Sequence, residues 1–185
     1  MARVVKIDFD NIYEIKPVSD DFRNSNFDTI LEDGSTVTLR VAISSESHEL
    51  LQNVYNLAFG PTNKRGQVND KAELSHKDYS KVFSTILYEA LNYLMANSGH
   101  YIGIDGSDNA RAYLYHRFIQ KNFDYLDQYF NIYGIKYYVR ISRFGKTQYE
   151  NPFDFSDIML QPDKIGKDTA INPAHMHNYF IFNLK

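Results

Sequence analysis

The chain has no cysteine and no tryptophan among its 185 residues. Without a thiol there is no cysteine nucleophile, no thiolate zinc site, no iron–sulfur cluster and no disulfide. That absence suits a reducing cytoplasm, and a cytoplasmic location is expected. No apolar run approaches the roughly 18 residues that a membrane-spanning helix needs, so no membrane partner is expected. Met1 to Ile15 carries Asp8, Asp10 and Glu14 among its apolar residues, which is not the pattern of a secretory signal. A basic excess is missing as well: the net charge is −3. Nucleic acid is therefore not the expected partner, although a small local basic patch is compatible with that charge. The sequence contains no Gly-x-Ser-x-Gly, no P-loop, no zinc-protease helix and no dinucleotide fingerprint, so it names no cofactor.

What is present belongs to a globular protein. Hydrophobic residues make up 43% and charged residues 23%, and the length suits one domain over residues 1–185. Tyrosine and phenylalanine are abundant, 15 and 13 of them. They are expected to fill a core rather than to form stacking platforms.

Asn26–Ile43 has the pattern of a hairpin. Phe27–Leu31 and Thr36–Val41 alternate apolar with polar residues around the turn dipeptide Asp33-Gly34. Val54–Phe59 is a short strand that ends at Gly60-Pro61. Residues 61–78 form a long polar loop, expected to be mobile. Tyr79–Ala96 repeats apolar residues at helical spacing, with Asp78 as N-cap and Asn97-Ser98-Gly99 as its end. Tyr101–Asp105 is a strand, Gly106-Ser107 a turn, and Asp108–Lys121 a second helix capped by Ser107. A strand over Ile135–Phe144 follows Gly134, then an irregular stretch over Gly145–Pro173, then a last strand over His177–Leu184. The expected fold is α+β: a mixed β-sheet with two main helices packed on it, antiparallel at the hairpin and parallel across the central β-α-β steps.

Three groups of residues carry a family resemblance: Tyr55-Asn56-Leu57-Ala58-Phe59-Gly60, Lys81-Val82-Phe83-Ser84-Thr85, and Gly106-Ser107 with Ala110-Arg111 and Leu114-Tyr115. Over about Val54 to Gly134 they resemble an uncharacterised family of small bacterial proteins of Bacteroidetes type. The resemblance implies an intracellular bacterial protein and brings no activity with it. The order of elements also resembles that of the GNAT N-acetyltransferases. Those enzymes place an Asn and a Leu-Tyr pair on their second helix, where this chain has Asn109 and Leu114-Tyr115 with a spacing one residue shorter. They hold the pyrophosphate of acetyl-CoA on a glycine-containing loop before their first helix. Here that place is taken by His76-Lys77-Asp78-Tyr79-Ser80-Lys81, which has no glycine, and Arg65-Gly66 lies too far upstream. The resemblance thus implies an acetyltransferase-like fold without its usual cofactor loop.

Among candidate site residues, Arg111 stands out. A helical projection puts it inside an apolar arc of Ala110, Ala112, Leu114, Tyr115, Phe118 and Ile119, with Tyr113, His116, Arg117 and Gln120 toward water. A cation in a first helical turn also faces the positive end of the helix dipole. Arg111 therefore needs an anion, either a carboxylate such as Asp105 or Asp70 or a bound ligand. Gly106, Ser107 and Asn109 at the strand end would share that anion, since helix N-termini and strand ends gather ligands. Tyr115, one turn on, would be the proton donor of an acyl transfer. Asp105 and Asp108 flank Gly106 as an acidic pair, which turn and first-turn preferences explain equally well. His175-x-His177 offers two imidazoles without a third ligand, so no metal site is expected.

Two classes of function follow. One is a small binding or regulatory module, with an anionic small molecule or a protein as partner, of the kind found in toxin–antitoxin or defence systems. The other is an acyltransferase-like enzyme that binds CoA or a nucleotide in a non-standard way.

Overall fold

Alternation of apolar and polar residues builds the first half of the sheet, as the computed structural model shows over the residues it describes: 5–106, 109–135, 162–170 and 177–185. Strands β1 (Lys16–Pro17), β2 (Asn24–Ile30) and β3 (Thr36–Ile43) pair antiparallel in succession. Ser25, Phe27 and Thr29 of β2 and Leu39, Val41 and Ile43 of β3 are buried, every second residue on one face. Asp33-Gly34 makes the turn: Gly34 adopts φ +84° and Asp33 accepts the Ser35 N–H at 2.9 Å.

Strand β4 (Val54–Gly60) joins antiparallel to β3 and passes through the long loop to helix α1 (Tyr79–Ala96). The helix starts as expected, with the Asp78 carboxylate accepting the Lys81 N–H at 2.9 Å. Its end differs from the glycine stop. Asn97 closes it, donating its backbone N–H to Leu94 and its amide to the Tyr93 carbonyl. Gly99 does not adopt a positive φ.

Strand β5 (Tyr101–Asp105) lies parallel to β4, and helix α2 follows over Asn109–Lys121. Ser107 and Asp108, the expected cap and first turn, lie outside the described residues. A one-turn helix α3 (Phe123–Leu126) leads to β6 (Phe130–Ile135). That strand starts earlier than Ile135, because Phe130 and Ile132 already alternate as buried residues. It also runs through Gly134, which was expected to precede it. The glycine is not a break: the His177 ring packs where a side chain would stand. The rest of the expected Ile135–Phe144 strand lies outside the described residues. Two short pieces complete the sheet, β7 (Asp163–Lys164) and β8 (Tyr179–Leu184).

Among the described residues the result is an α+β architecture: a mixed eight-stranded sheet in the order β1-β2-β3-β4-β5-β8-β6-β7, with two substantial helices. Strand β8 inserts antiparallel between β5 and β6, so β5 and β6 point the same way without touching. Residues 179–182 of this central strand are buried on both faces. One face of the sheet meets α1 and α2, with Phe59, Ile104, Phe180 and Phe182 against Ile86, Leu87 and Ile119. Tyr179 and Ile181 belong to a second apolar cluster with Leu51, Val54 and Ile135. No described helix is long and apolar enough to cross a membrane.

Candidate functional site

The sheet opens at its centre. β4 stays paired with β3 through Gly60 but with β5 only at Val54, Tyr55 and Asn56. Beyond those residues the two parallel strands part. On the helix side of this divergence lies a small, wholly apolar cavity of about 30 Å³, walled by Phe59, Ile104, Phe83, Tyr115 and Phe118. Phe83, Tyr115 and Phe118 also line a wider groove of about 540 Å³ between α1 and α2. Tyr79 of α1 and Leu114, Arg117 and Lys121 of α2 line it as well, together with Val5, Glu32 and Ser75. The site thus has an apolar inner end, a phenol at the junction, and two cations on one rim. This mixture of apolar lining and few convergent polar groups is what small-molecule sites have.

The rotation of α2 differs from the projected one. Ala112, His116 and Ile119 face the core, each at most 2% exposed, whereas Leu114 is 59% exposed. The expectation that His116 faces water and Leu114 the core is corrected. His116 turns inward because the turn at 166–169 supplies a partner: Nε2 donates to the Thr169 carbonyl at 3.1 Å. Gln120, also expected toward water, is half-buried and donates to the Gly166 carbonyl at 3.0 Å. Burial pushes the His116 pKa down, the Thr169 bond opposes that, and the nearby His177 adds a smaller downward push. Helical spacing alone does not foresee this, since the partner lies 53 residues away in an irregular turn.

Tyr115 and Arg111 lie one turn apart on the flank of the buried face, both half-buried, and Tyr115 reaches the groove. Gly106 follows β5, with its N–H donated to the Asn178 carbonyl at 2.8 Å. A side chain there would press on the Ala112 backbone at 2.9 Å, so close packing of α2 against the strand end accounts for the glycine. Ser107 lies outside the described residues, as do Asp108 and His175; Asn109 opens α2, and nothing of its side chain is described. Asp105 is exposed at the end of β5. His177 pairs with Asp163 of β7 at 3.2 Å. Of the groove residues only Tyr115 is among the sequence-predicted site residues; Phe83, Arg117 and Lys121 are among those that sequence reasoning missed. The signal was available: Leu114, Arg117 and Lys121 follow at three- and four-residue spacing on one helix face.

Fold and groove together define the class of protein: an α+β domain with a mixed sheet, two helices on one of its faces and a ligand-sized groove between them. The chain belongs to DUF6934, a family of unknown function whose model matches residues 10–156. That match is wider than the Val54–Gly134 stretch on which the resemblance was seen. No curated protein and no solved structure was found to match it.

Proposed function

We propose that the protein is a small intracellular bacterial binding module whose ligand lies in the α1–α2 groove, an elongated anionic molecule with an apolar arm. The observation that carries this reading is the position of Tyr115, which with Phe83 and Phe118 lines both the inner cavity and the wider groove. An apolar arm fills the inner end, and the anionic end lies near Arg117 and Lys121. The strand order β4-β5-β8-β6, with β4 and β5 parting after three residue pairs, supports the acetyltransferase-like order of elements. Arg111, with Gly106, Ser107 and Asn109 at the strand end, is a second anion position one turn from Tyr115. A regulatory role, such as one in a toxin–antitoxin or defence system, suits a module that senses such a ligand.

The Asp78 cap favours binding without the usual cofactor geometry. Its carboxylate takes the Lys81 N–H, at the helix start where the acetyltransferases hold a pyrophosphate. A second reading, an acyltransferase-like enzyme with Tyr115 as proton donor to a leaving thiolate, is favoured by the phenol at the junction of cavity and groove. Thermal-shift titrations with octanoyl-CoA, CoA, octanoate and ATP test the proposal, since a ligand of the native state raises the melting point. Octanoyl-CoA is expected to stabilise more than CoA or octanoate alone, and less so in Arg117→Ala/Lys121→Ala. No stabilisation by any of the four overturns it. Release of free thiol from octanoyl-CoA with an amine acceptor separates the enzyme from the module.

A further inference from the structure

The two apolar spaces beside Tyr115 share only part of their walls. Phe83, Tyr115 and Phe118, which line both, are half-buried. The walls that belong to the inner cavity alone are mostly of another kind. Ile86 and Leu87 of α1, Ile119 of α2, and Phe180 and Phe182 of β8 are each at most 3% exposed. Half-buried Phe59 and Ile104 complete the wall where β4 and β5 part. The cavity is thus closed off by the middle of the fold. Phe180 and Phe182 stand on the same side of the central strand, two residues apart. Each ring is held edge-on by another: Phe180 by Tyr115 at 6.3 Å between ring centres, and Phe182 by Phe130 at 5.7 Å.

No polar atom lines this cavity, and its volume is about 30 Å³. A dry apolar cavity of about 150 Å³ takes benzene, so a space of about 30 Å³ takes roughly one carbon. A water molecule would find no partner there, and a hydroxyl or carboxylate would give up its hydration for nothing. We infer that the cavity reads the far end of the groove ligand. It accepts one terminal methyl group and rejects a polar terminus or a longer reach, so the ligand's apolar arm is a methyl-ended chain of limited length. Ile86 and Ile119, one from each helix, set the depth. The inference rests on the groove being the binding site, and it names the buried end of what that site takes.

A chain-length series tests it. Acyl-CoAs from hexanoyl to dodecanoyl, titrated by calorimetry against the wild-type protein, should bind more tightly with each carbon up to one length. At the next length they should bind at least tenfold more weakly, because an overfilled, rigidly packed wall does not yield. Ile119→Val removes one carbon from the wall and should move that break to a longer chain; Ile86→Val takes its place if the first variant loses its cooperative melt. The best-fitting acyl-CoA should also bind at least tenfold more tightly than its analogue with a hydroxyl in place of the terminal methyl. Affinity that climbs steadily through dodecanoyl overturns the inference, as does a break that stays in place in the folded variant or equal binding of the hydroxyl analogue. Xenon separates the cavity from the ligand proposed above, since an apolar atom needs only the cavity. In the free protein it should shift the methyl resonances of Ile86, Leu87 and Ile119. If no acyl-CoA binds, the proposed groove ligand is wrong, and xenon still decides the cavity: the absence of shifts at those three residues overturns it.

Discussion

The ring of Tyr179 lies directly over Gly103. The glycine sits on β5 and the tyrosine on β8, and a Cβ on residue 103 would run into the phenol hydroxyl. That hydroxyl donates to the side chain of Asn56 on β4. One fully buried side chain thus spans three strands at the point where β4 and β5 are about to part. Gly103→Ala is expected to destabilise the protein by about 1–3 kcal/mol through overpacking. Tyr179→Phe should cost about 1–3 kcal/mol by leaving the Asn56 oxygen unpaired. Urea midpoints check both. If Gly103→Ala leaves the midpoint unchanged, Tyr179 does not occupy that space.

The long loop is held differently along its length. His76 forms a bridge with Leu31, Lys77 donates to the Ile30 carbonyl at 2.9 Å, and Glu32 donates to the Ser75 carbonyl at 2.9 Å. The other part is turn-like, with the Asn63 side chain accepting from Arg65 and Gln67. Amide exchange is therefore expected to divide the loop: Lys77 slow, Arg65 and Lys71 fast. Uniformly slow exchange from Asn63 to Lys77 would contradict this division.

The sequence made local order legible where a single segment decides it. The Asp33-Gly34 turn, the Asp78 cap and the bounds of α1 and β5 depend on residues within a few positions of each other. Distant partners hid the rest. His116 is inward because Thr169 waits for it, and Gly134 sits inside a strand because His177 covers it. The candidate site was legible in part. Tyr115 lines the groove, but the groove itself exists because α1 and α2 meet over diverging strands, and no residue pattern along one segment encodes that meeting.

Stability should fall as the solution is acidified from neutral to about pH 5. His48, His76 and His116 all have pKa values pushed down, burial being the largest cause in each. The sign follows from linkage. The folded state favours neutral imidazoles, while the unfolded chain takes up protons near pH 6.5. Their contribution is full above that pH and is lost as pH falls through the lower folded values. Asp21, Asp28 and Asp33 are shifted down as well; their effect lies at more acid pH, below the unfolded carboxylate range. His116→Gln retains an N–H for the Thr169 carbonyl and does not titrate, so its melting temperature should vary less between pH 7.5 and 5.5. An unchanged pH profile in that variant would show that His116 is not among the groups responsible.

The N-cap of α1 separates fold from function. Asp78→Ala removes the bond to the Lys81 N–H and should cost about 1 kcal/mol. Asp78→Asn should cost far less, because asparagine caps about as well as aspartate. It also removes a negative charge from the helix start, where the backbone dipole and open N–H groups otherwise attract anions. If the charged end of the groove ligand reaches that helix start, Asp78→Asn should tighten octanoyl-CoA binding, most clearly at low salt. If the charge rests instead on Arg117 and Lys121, on the opposite wall of the groove, the affinity should be unchanged in Asp78→Asn and weakened in Arg117→Ala. The pair of titrations therefore locates the anionic end of the ligand. The midpoint of Asp78→Asn, close to that of the wild-type protein, shows that the fold has not been disturbed in doing so.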